Sequence, residues 1–119
     1  MNLFISGITG KIGKLLSSYA LKSNHFKLVG GSCTTDNNFF GKDVGELLEI
    51  DETGIQISEE MSEDLSVDII IDFSSPKCSM KILQLAKRKE IPILIGTTGF
   101  SEDDFKEIEI ASAQTPVLF

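Results

Sequence analysis

Three segments of the 119-residue sequence carry small, hydroxyl-bearing or aromatic residues at spacings that could hold a ligand: residues 7–13, 72–76 and 95–100. The first reads Gly7-Ile8-Thr9-Gly10-Lys11-Ile12-Gly13, a G-x-x-G-x-x-G spacing. Gly7 permits a tight turn, Gly10 lets the backbone approach an anion, and Gly13 lets a helix pack closely on a strand. When such a turn follows a strand and opens a helix, unpaired N–H groups at the positive helix end can hold a pyrophosphate. Thr9 stands where the stricter G-x-G-x-x-G pattern has its second glycine, so a purely structural turn stays open as an alternative.

The other two segments belong at the ends of later strands. Ile93-Leu94-Ile95-Gly96-Thr97-Thr98-Gly99-Phe100 places a glycine and two threonines directly after an apolar run. In a parallel sheet, that carboxyl edge is where ligands bind. Asp72-Phe73-Ser74-Ser75-Pro76 ends the preceding apolar run at the same edge. Phe73 could present its ring to a nicotinamide, or it could belong to the core. A dinucleotide site usually has an Asp or Glu ~20 residues after the glycine turn, to bond the ribose 2′-hydroxyl. Here that stretch reads Gly30-Gly31-Ser32-Cys33-Thr34-Thr35, with no acid before Asp36 and no arginine for a 2′-phosphate. Small hydroxyl residues could bond either cofactor, so NAD against NADP stays open.

The elements that must position these segments alternate between short β-rich runs and longer helix-spaced ones. Strands are expected at residues 2–6, 26–30, 67–73 and 91–96, with one more beginning at 116–119, and a brief one at 55–57. A helix from Lys11 to the Ser23-Asn24 pair has Ile12, Leu15, Leu16 and Tyr19/Ala20 at the spacing of one helical face. Ser75 as N-cap and Pro76 at the first position open a second helix. Its stripe is Ile82, Leu83, Leu85 and Ala86, and Lys87-Arg88-Lys89 sits at its negative end. Residues 101–113 form an acidic amphipathic helix. Residues 33–66 are the least regular, with turns at 34–38 and 41–45, a helical turn at 46–48 and a solvated acidic run at 58–64. The sum is one α/β domain: a Rossmann-like, doubly wound, mostly parallel sheet with flanking helices. The chain breaks off inside the apolar run Pro116-Val117-Leu118-Phe119, which reads as a cut and not as a natural end.

Composition narrows the function classes. A net charge of −7 argues against nucleic acid, whose binding needs a basic footprint, and against an anionic membrane surface. No apolar run approaches the ~20 residues of a membrane span, and the N-terminus lacks the pattern of a signal peptide. Cys33 and Cys78 fit neither a disulfide framework nor a metal site, so a cytoplasmic protein with reduced thiols and no metal is expected. His25, the single histidine, lies in a polar turn and is not expected to be catalytic.

Taken together, the G-x-x-G-K/R-I/M-G start, the D-F-S/T-x-P segment at 72–76 and the I-G-T-T-G-F segment at 95–100 resemble the 4-hydroxy-tetrahydrodipicolinate reductase family, also called dihydrodipicolinate reductase. Gly41-Lys42-Asp43-Val44-Gly45-Glu46-Leu47 matches that family's G-x-D-x-G-E-L stretch, and the resemblance runs from Met1 to Phe119. It implies the cofactor domain of an NAD(P)H-dependent reductase of lysine and diaminopimelate biosynthesis, usually a homotetramer. Gly7, Ile8, Thr9, Gly10, Lys11 and Ile12 would hold the pyrophosphate and adenosine side. Phe73, Gly96, Thr97 and Thr98 would border the nicotinamide and its ribose. Lys11 stands where the family usually has arginine. The family's substrate domain, with its His-His-x-x-Lys run, would lie beyond Phe119, so the resemblance assigns no catalytic residue here, and the small-molecule substrate would be met through that missing domain.

Two other functions compete. A nucleotide-sensing Rossmann module would bind without reacting and would be complete as written. An atypical short-chain dehydrogenase would need a Tyr-x-x-x-Lys pair, but Tyr19, the only tyrosine, is followed four residues later by Ser23.

Overall fold

The structure, a computed structural model, describes residues 1–118. Six strands form one sheet in the order β3-β2-β1-β4-β5-β6: β1 (Asn2–Ser6), β2 (Lys27–Ser32), β3 (Ile57–Ser58), β4 (Ile69–Asp72), β5 (Ile93–Ile95) and β6 (Val117–Leu118). Every strand pair is parallel, so the sheet is parallel throughout. The helices are α1 (Lys11–Lys22), α2 (Val44–Leu48), α3 (Pro76–Lys89) and α4 (Glu102–Ser112). No helix among the described residues is long and apolar enough to cross a membrane.

The alternation of side chains along β1 divides the core. Leu3 and Ile5 point to one face, with Ala20 of α1 and Val44 and Leu47 of α2. Phe4 points to the other, with Ile82, Leu83 and Ala86 of α3 and Ile108 and Ala111 of α4. Successive residues of a strand face opposite sides, so a nearly all-apolar β1 fits a strand covered on both faces. This is the Rossmann-like, doubly wound arrangement. The chain leaves β1 toward β2 and β3, then returns to pair β4 on the other side of β1. The resulting switch point opens a crevice at the carboxyl ends of β1 and β4.

Helix punctuation follows the sequence closely. The Ser75 hydroxyl accepts from the Cys78 N–H at 3.3 Å, with Pro76 in the first turn. Ser101 and Asp104 form a reciprocal capping box on α4. Strand limits differ: β2 runs on to Ser32, β4 starts at Ile69, and only Ile57 of the expected 55–57 strand joins the sheet. Gln56 instead forms an isolated antiparallel bridge with Asp43. The acidic run 58–64 contains no helix, and its Met61 is buried as an anchor in the α3 side of the core. Phe119, the end of the last expected strand, lies outside the described residues.

The face of α1 is corrected in part: Ala20 is buried and Leu16 packs against the core as expected, but the remaining large residues of that face do not. Leu15 is 61% exposed and Tyr19 67% exposed, and Ile12 is exposed as well, while Gly13, Ser17 and Ala20 are buried. The helix starts directly at the glycine turn, and its close approach to the turn and sheet leaves room mainly for small residues, with Leu16 half-buried beside them. A Cβ on Gly13 would run into the backbone of Gly7 and Ile8.

Candidate functional site: a cleft at the sheet's switch point

A cleft of about 910 Å³ opens at the carboxyl ends of β1, β2 and β4, within the size of small-molecule sites. Its floor is built by the turn that follows β1. Gly7 has a φ of 78°, the left-handed region that glycine adopts without cost. A Cβ at Gly7 would also overlap the Phe73 carbonyl. The N–H groups of Gly7 and Ile8 both donate to the Ser32 carbonyl at 3.0 Å, and the Gly10 N–H donates to the Gly7 carbonyl at 3.1 Å. The turn is therefore locked to the end of β2 before α1 begins.

Gly10 is the N-cap of α1 and makes no side-chain cap bond. The first-turn N–H groups of a helix have no partner within the helix. Without a capping side chain, these groups and the positive helix end are available to an anion in the cleft. The loop after β2 is pinned across the same turn. The Asn37 side-chain N–H donates to Thr9 Oγ1 at 3.0 Å, while Asn37 Oδ1 accepts from the Phe39 N–H at 2.9 Å. Thr34 and Thr35 are exposed on the cleft wall. Cys33 and Cys78 also line it; burial first, and then the Asp36 carboxylate, push the Cys33 thiol up, which keeps it neutral.

Beside the cleft lies a second cluster, centred on Asp72, whose side chain is fully buried. Its Oδ1 accepts from the Ser74 hydroxyl at 2.5 Å, and its Oδ2 accepts from the hydroxyls of Thr97, at 3.0 Å, and Ser79. Thr97 Oγ1 also accepts from the Ser74 N–H at 2.9 Å. One carboxylate thus binds the end of β4, the first turn of α3 and the residues after β5. Above it the Phe73 ring covers Gly96, where any Cβ would collide with the ring.

Of the residues singled out from the sequence, Gly7, Thr9, Gly10 and Phe73 line the cleft. Ile8 is fully buried, its side chain filling the space over Gly31, so that side chain serves the core. Lys11 and Ile12 open α1 with exposed side chains. Gly96, Thr97 and Thr98 follow β5 beside Phe73 and are not part of the cleft wall. The Thr97 hydroxyl is engaged by the Asp72 cluster, whereas Thr98 is exposed. Sequence reasoning picked out the 72–76 segment but not the bonding of Ser74 to Asp72, and it missed Asn37 and Ser79 as site-shaping residues. The available signal was an acid closing the apolar run of residues 69–71, followed by hydroxyl residues.

Comparison with known proteins agrees with this architecture. The chain is 33% identical over 121 residues to a 4-hydroxy-tetrahydrodipicolinate reductase of Alkaliphilus oremlandii, a match covering 99% of this chain and 40% of that protein. A protein of the same description from Archaeoglobus fulgidus is 31% identical, with 99% of this chain and 44% of that one covered. The chain thus spans well under half the length of these curated relatives. Among solved structures, a dipicolinate-bound dihydrodipicolinate reductase from Paenisporosarcina sp. TG-14 superposes with a TM-score of 0.73 at 17% identity, covering 94% of this chain and 43% of that one. At that identity the likeness establishes the fold alone. The family described as "Dihydrodipicolinate reductase, N-terminus" matches residues 1–119, and with the glycine turn, the Asp72-Phe73 strand end and the Gly96-Thr97-Thr98 segment in place, the chain belongs to that family.

Proposed function

We propose that this chain is the NAD(P)H-binding domain, residues 1–119, of a reductase that converts 4-hydroxy-tetrahydrodipicolinate to tetrahydrodipicolinate in lysine and diaminopimelate biosynthesis. The observation that carries the proposal is the uncapped start of α1 behind the left-handed Gly7 turn, placed at the switch point of the sheet. Gly7, Ile8, Thr9 and Gly10 shape the pyrophosphate seat, whose open donors are the first-turn N–H groups of α1, and Lys11 and Ile12 extend this seat toward the adenosine. Phe73, Gly96, Thr97 and Thr98 form the nicotinamide end. When bound, the cofactor supplies the hydride, and the protein's share is position and electrostatics. Substrate contacts and the proton donor are assigned to the remainder of the longer family proteins, and the complete enzyme is a cytoplasmic homotetramer.

The wall after β2 offers the hydroxyls of Ser32, Thr34 and Thr35 where a preference for NAD would call for an acid. Either ribose form is accommodated, so the cofactor is NAD or NADP.

Gly10→Asp is the direct test. A Cβ at Gly10 meets nothing closer than the Gly7 carbonyl oxygen at 3.5 Å, so the substitution fits the fold. It places a carboxylate at the anion seat. Titrated by dihydronicotinamide fluorescence, the variant is expected to bind NADH and NADPH roughly tenfold or more weakly, about 1.4 kcal/mol per factor of ten. Unchanged affinity would make the turn structural only.

A further inference from the structure

A buried carboxylate is an expensive way to fill the end of a strand. Its desolvation must be offset by donors, and an apolar residue of similar volume is often as stable or more so. Asp72 is nonetheless fully buried at the last position of β4, and its donors are side-chain hydroxyls from three different elements. Ser74 follows β4, Ser79 lies in the first turns of α3, and Thr97 follows β5. Backbone bonds add to the same junction: the Gly96 N–H donates to the Asp72 carbonyl at 2.7 Å, and the Ser74 N–H donates to Thr97 Oγ1 at 2.9 Å.

The junction has a visible product. Phe73 is the next residue after Asp72, and its ring lies on Gly96, the residue before Thr97. Both halves of the Phe73–Gly96 contact are therefore attached to the same carboxylate. We propose that Asp72 is a positioning residue for the nicotinamide end of the site: through Ser74 and Thr97 it fixes the angle of the Phe73 ring and the path of the Gly96-Thr97-Thr98 segment. The inference rests on the NAD(P)H assignment made above and sharpens it. Thr97 becomes a strut whose hydroxyl is spent inside the protein, and Thr98 is the exposed hydroxyl left to meet the ligand. The pyrophosphate seat is held by separate bonds, from Gly7 and Ile8 to Ser32 and from Asn37 to Thr9. The two ends of the site should therefore respond separately to substitution.

Three variants of the intact protein test this: Asp72→Asn, which turns one acceptor into a donor facing hydroxyls, Thr97→Val, which removes the strut, and Thr97→Ser, which keeps it. Affinity is measured for NADH and NADPH by fluorescence and for ADP-ribose, which lacks the nicotinamide, by calorimetry. Asp72→Asn and Thr97→Val are expected to weaken the reduced cofactors by roughly tenfold while ADP-ribose stays within about twofold, and Thr97→Ser retains both. Should Asp72→Asn fail to fold, the Thr97 pair gives the same contrast. Equal losses for both ligands in Thr97→Val, or no loss for either, would overturn the positioning role. Wild-type protein that binds neither ligand would overturn the cofactor assignment itself, and this role with it.

Discussion

Two aspartates organise two regions of this molecule by opposite means. Asp43 precedes α2 and is served almost entirely by the backbone: Oδ1 accepts from the N–H groups of Gly45 and Thr53 at 2.7 and 2.9 Å, and Oδ2 from that of Gly54 at 2.8 Å. The Thr53 hydroxyl adds a fourth bond at 2.8 Å. Asp72, at the sheet's carboxyl edge, is served by three side-chain hydroxyls. Backbone donors persist whatever side chains occupy the loop, so the Asp43 cluster is a fold device that shapes residues 43–54 locally. Hydroxyl donors exist only while Ser74, Ser79 and Thr97 do, and they join elements far apart in sequence. The G-x-D-x-G-E-L stretch that helps mark the family thus serves the loop around α2, while the other carboxylate ties together the elements beside the cleft.

Substitutions should separate the two regions. The largest effect is expected for Asp72→Ala, which leaves a void and strips the acceptor from the buried Ser79 hydroxyl and the half-buried Ser74 and Thr97; a loss of about 3 kcal/mol in urea unfolding is anticipated. A loss no greater than that of a surface substitution would deny the cluster its structural part. Ser79→Ala removes one donor from a fully buried position and should cost about 1–2 kcal/mol by the same measurement. Asp43→Asn should be milder still, since water reaches that loop, and its effect should depend on pH. Bonding to the backbone N–H of Thr53, above all, holds the Asp43 carboxyl down at about 2, against ~3.9 for an unfolded chain. A depressed carboxylate contributes stability that is complete above the unfolded value and is lost as the pH falls through the folded one. Thermal midpoints of wild type and Asp43→Asn should therefore differ at about pH 5 and converge as the pH drops from about 4 to about 2. A gap that is constant over that range would mean that charge at Asp43 is irrelevant.

The sequence made the frame legible because punctuation and periodicity are local. Ser75-Pro76 and Ser101 mark helix starts wherever they stand, and the β-branched residues at 69–71 announce a buried strand. The α1 face was misjudged because Ile12, Leu15 and Tyr19 have perfect helical spacing, yet proximity decided the outcome. A helix that begins in the turn itself offers the sheet chiefly Gly13, Ser17 and Ala20, with Leu16 half-buried beside them. That small-residue row at i, i+4 and i+7 was present in the sequence and was the better guide. The Asp72 cluster was not legible, because its partners at 74, 79 and 97 become neighbours only when β4, α3 and β5 assemble. Gly7 and Gly10 were legible as a turn because their context, strand before and helix after, is also local.

The outward face of α1 has an optical consequence. Tyr19, the chain's single tyrosine, stands exposed on that helix, nine residues along from Gly10, or roughly 13 Å at the rise of an α-helix. With no tryptophan among these 119 residues, it is the dominant ultraviolet emitter of this chain. Tyrosine emission overlaps the absorption of a dihydronicotinamide, so a reduced dinucleotide seated on the glycine turn and Tyr19 form a natural energy-transfer pair. If the phosphates sit on this helix as proposed, Tyr19 emission would fall as the reduced cofactor binds.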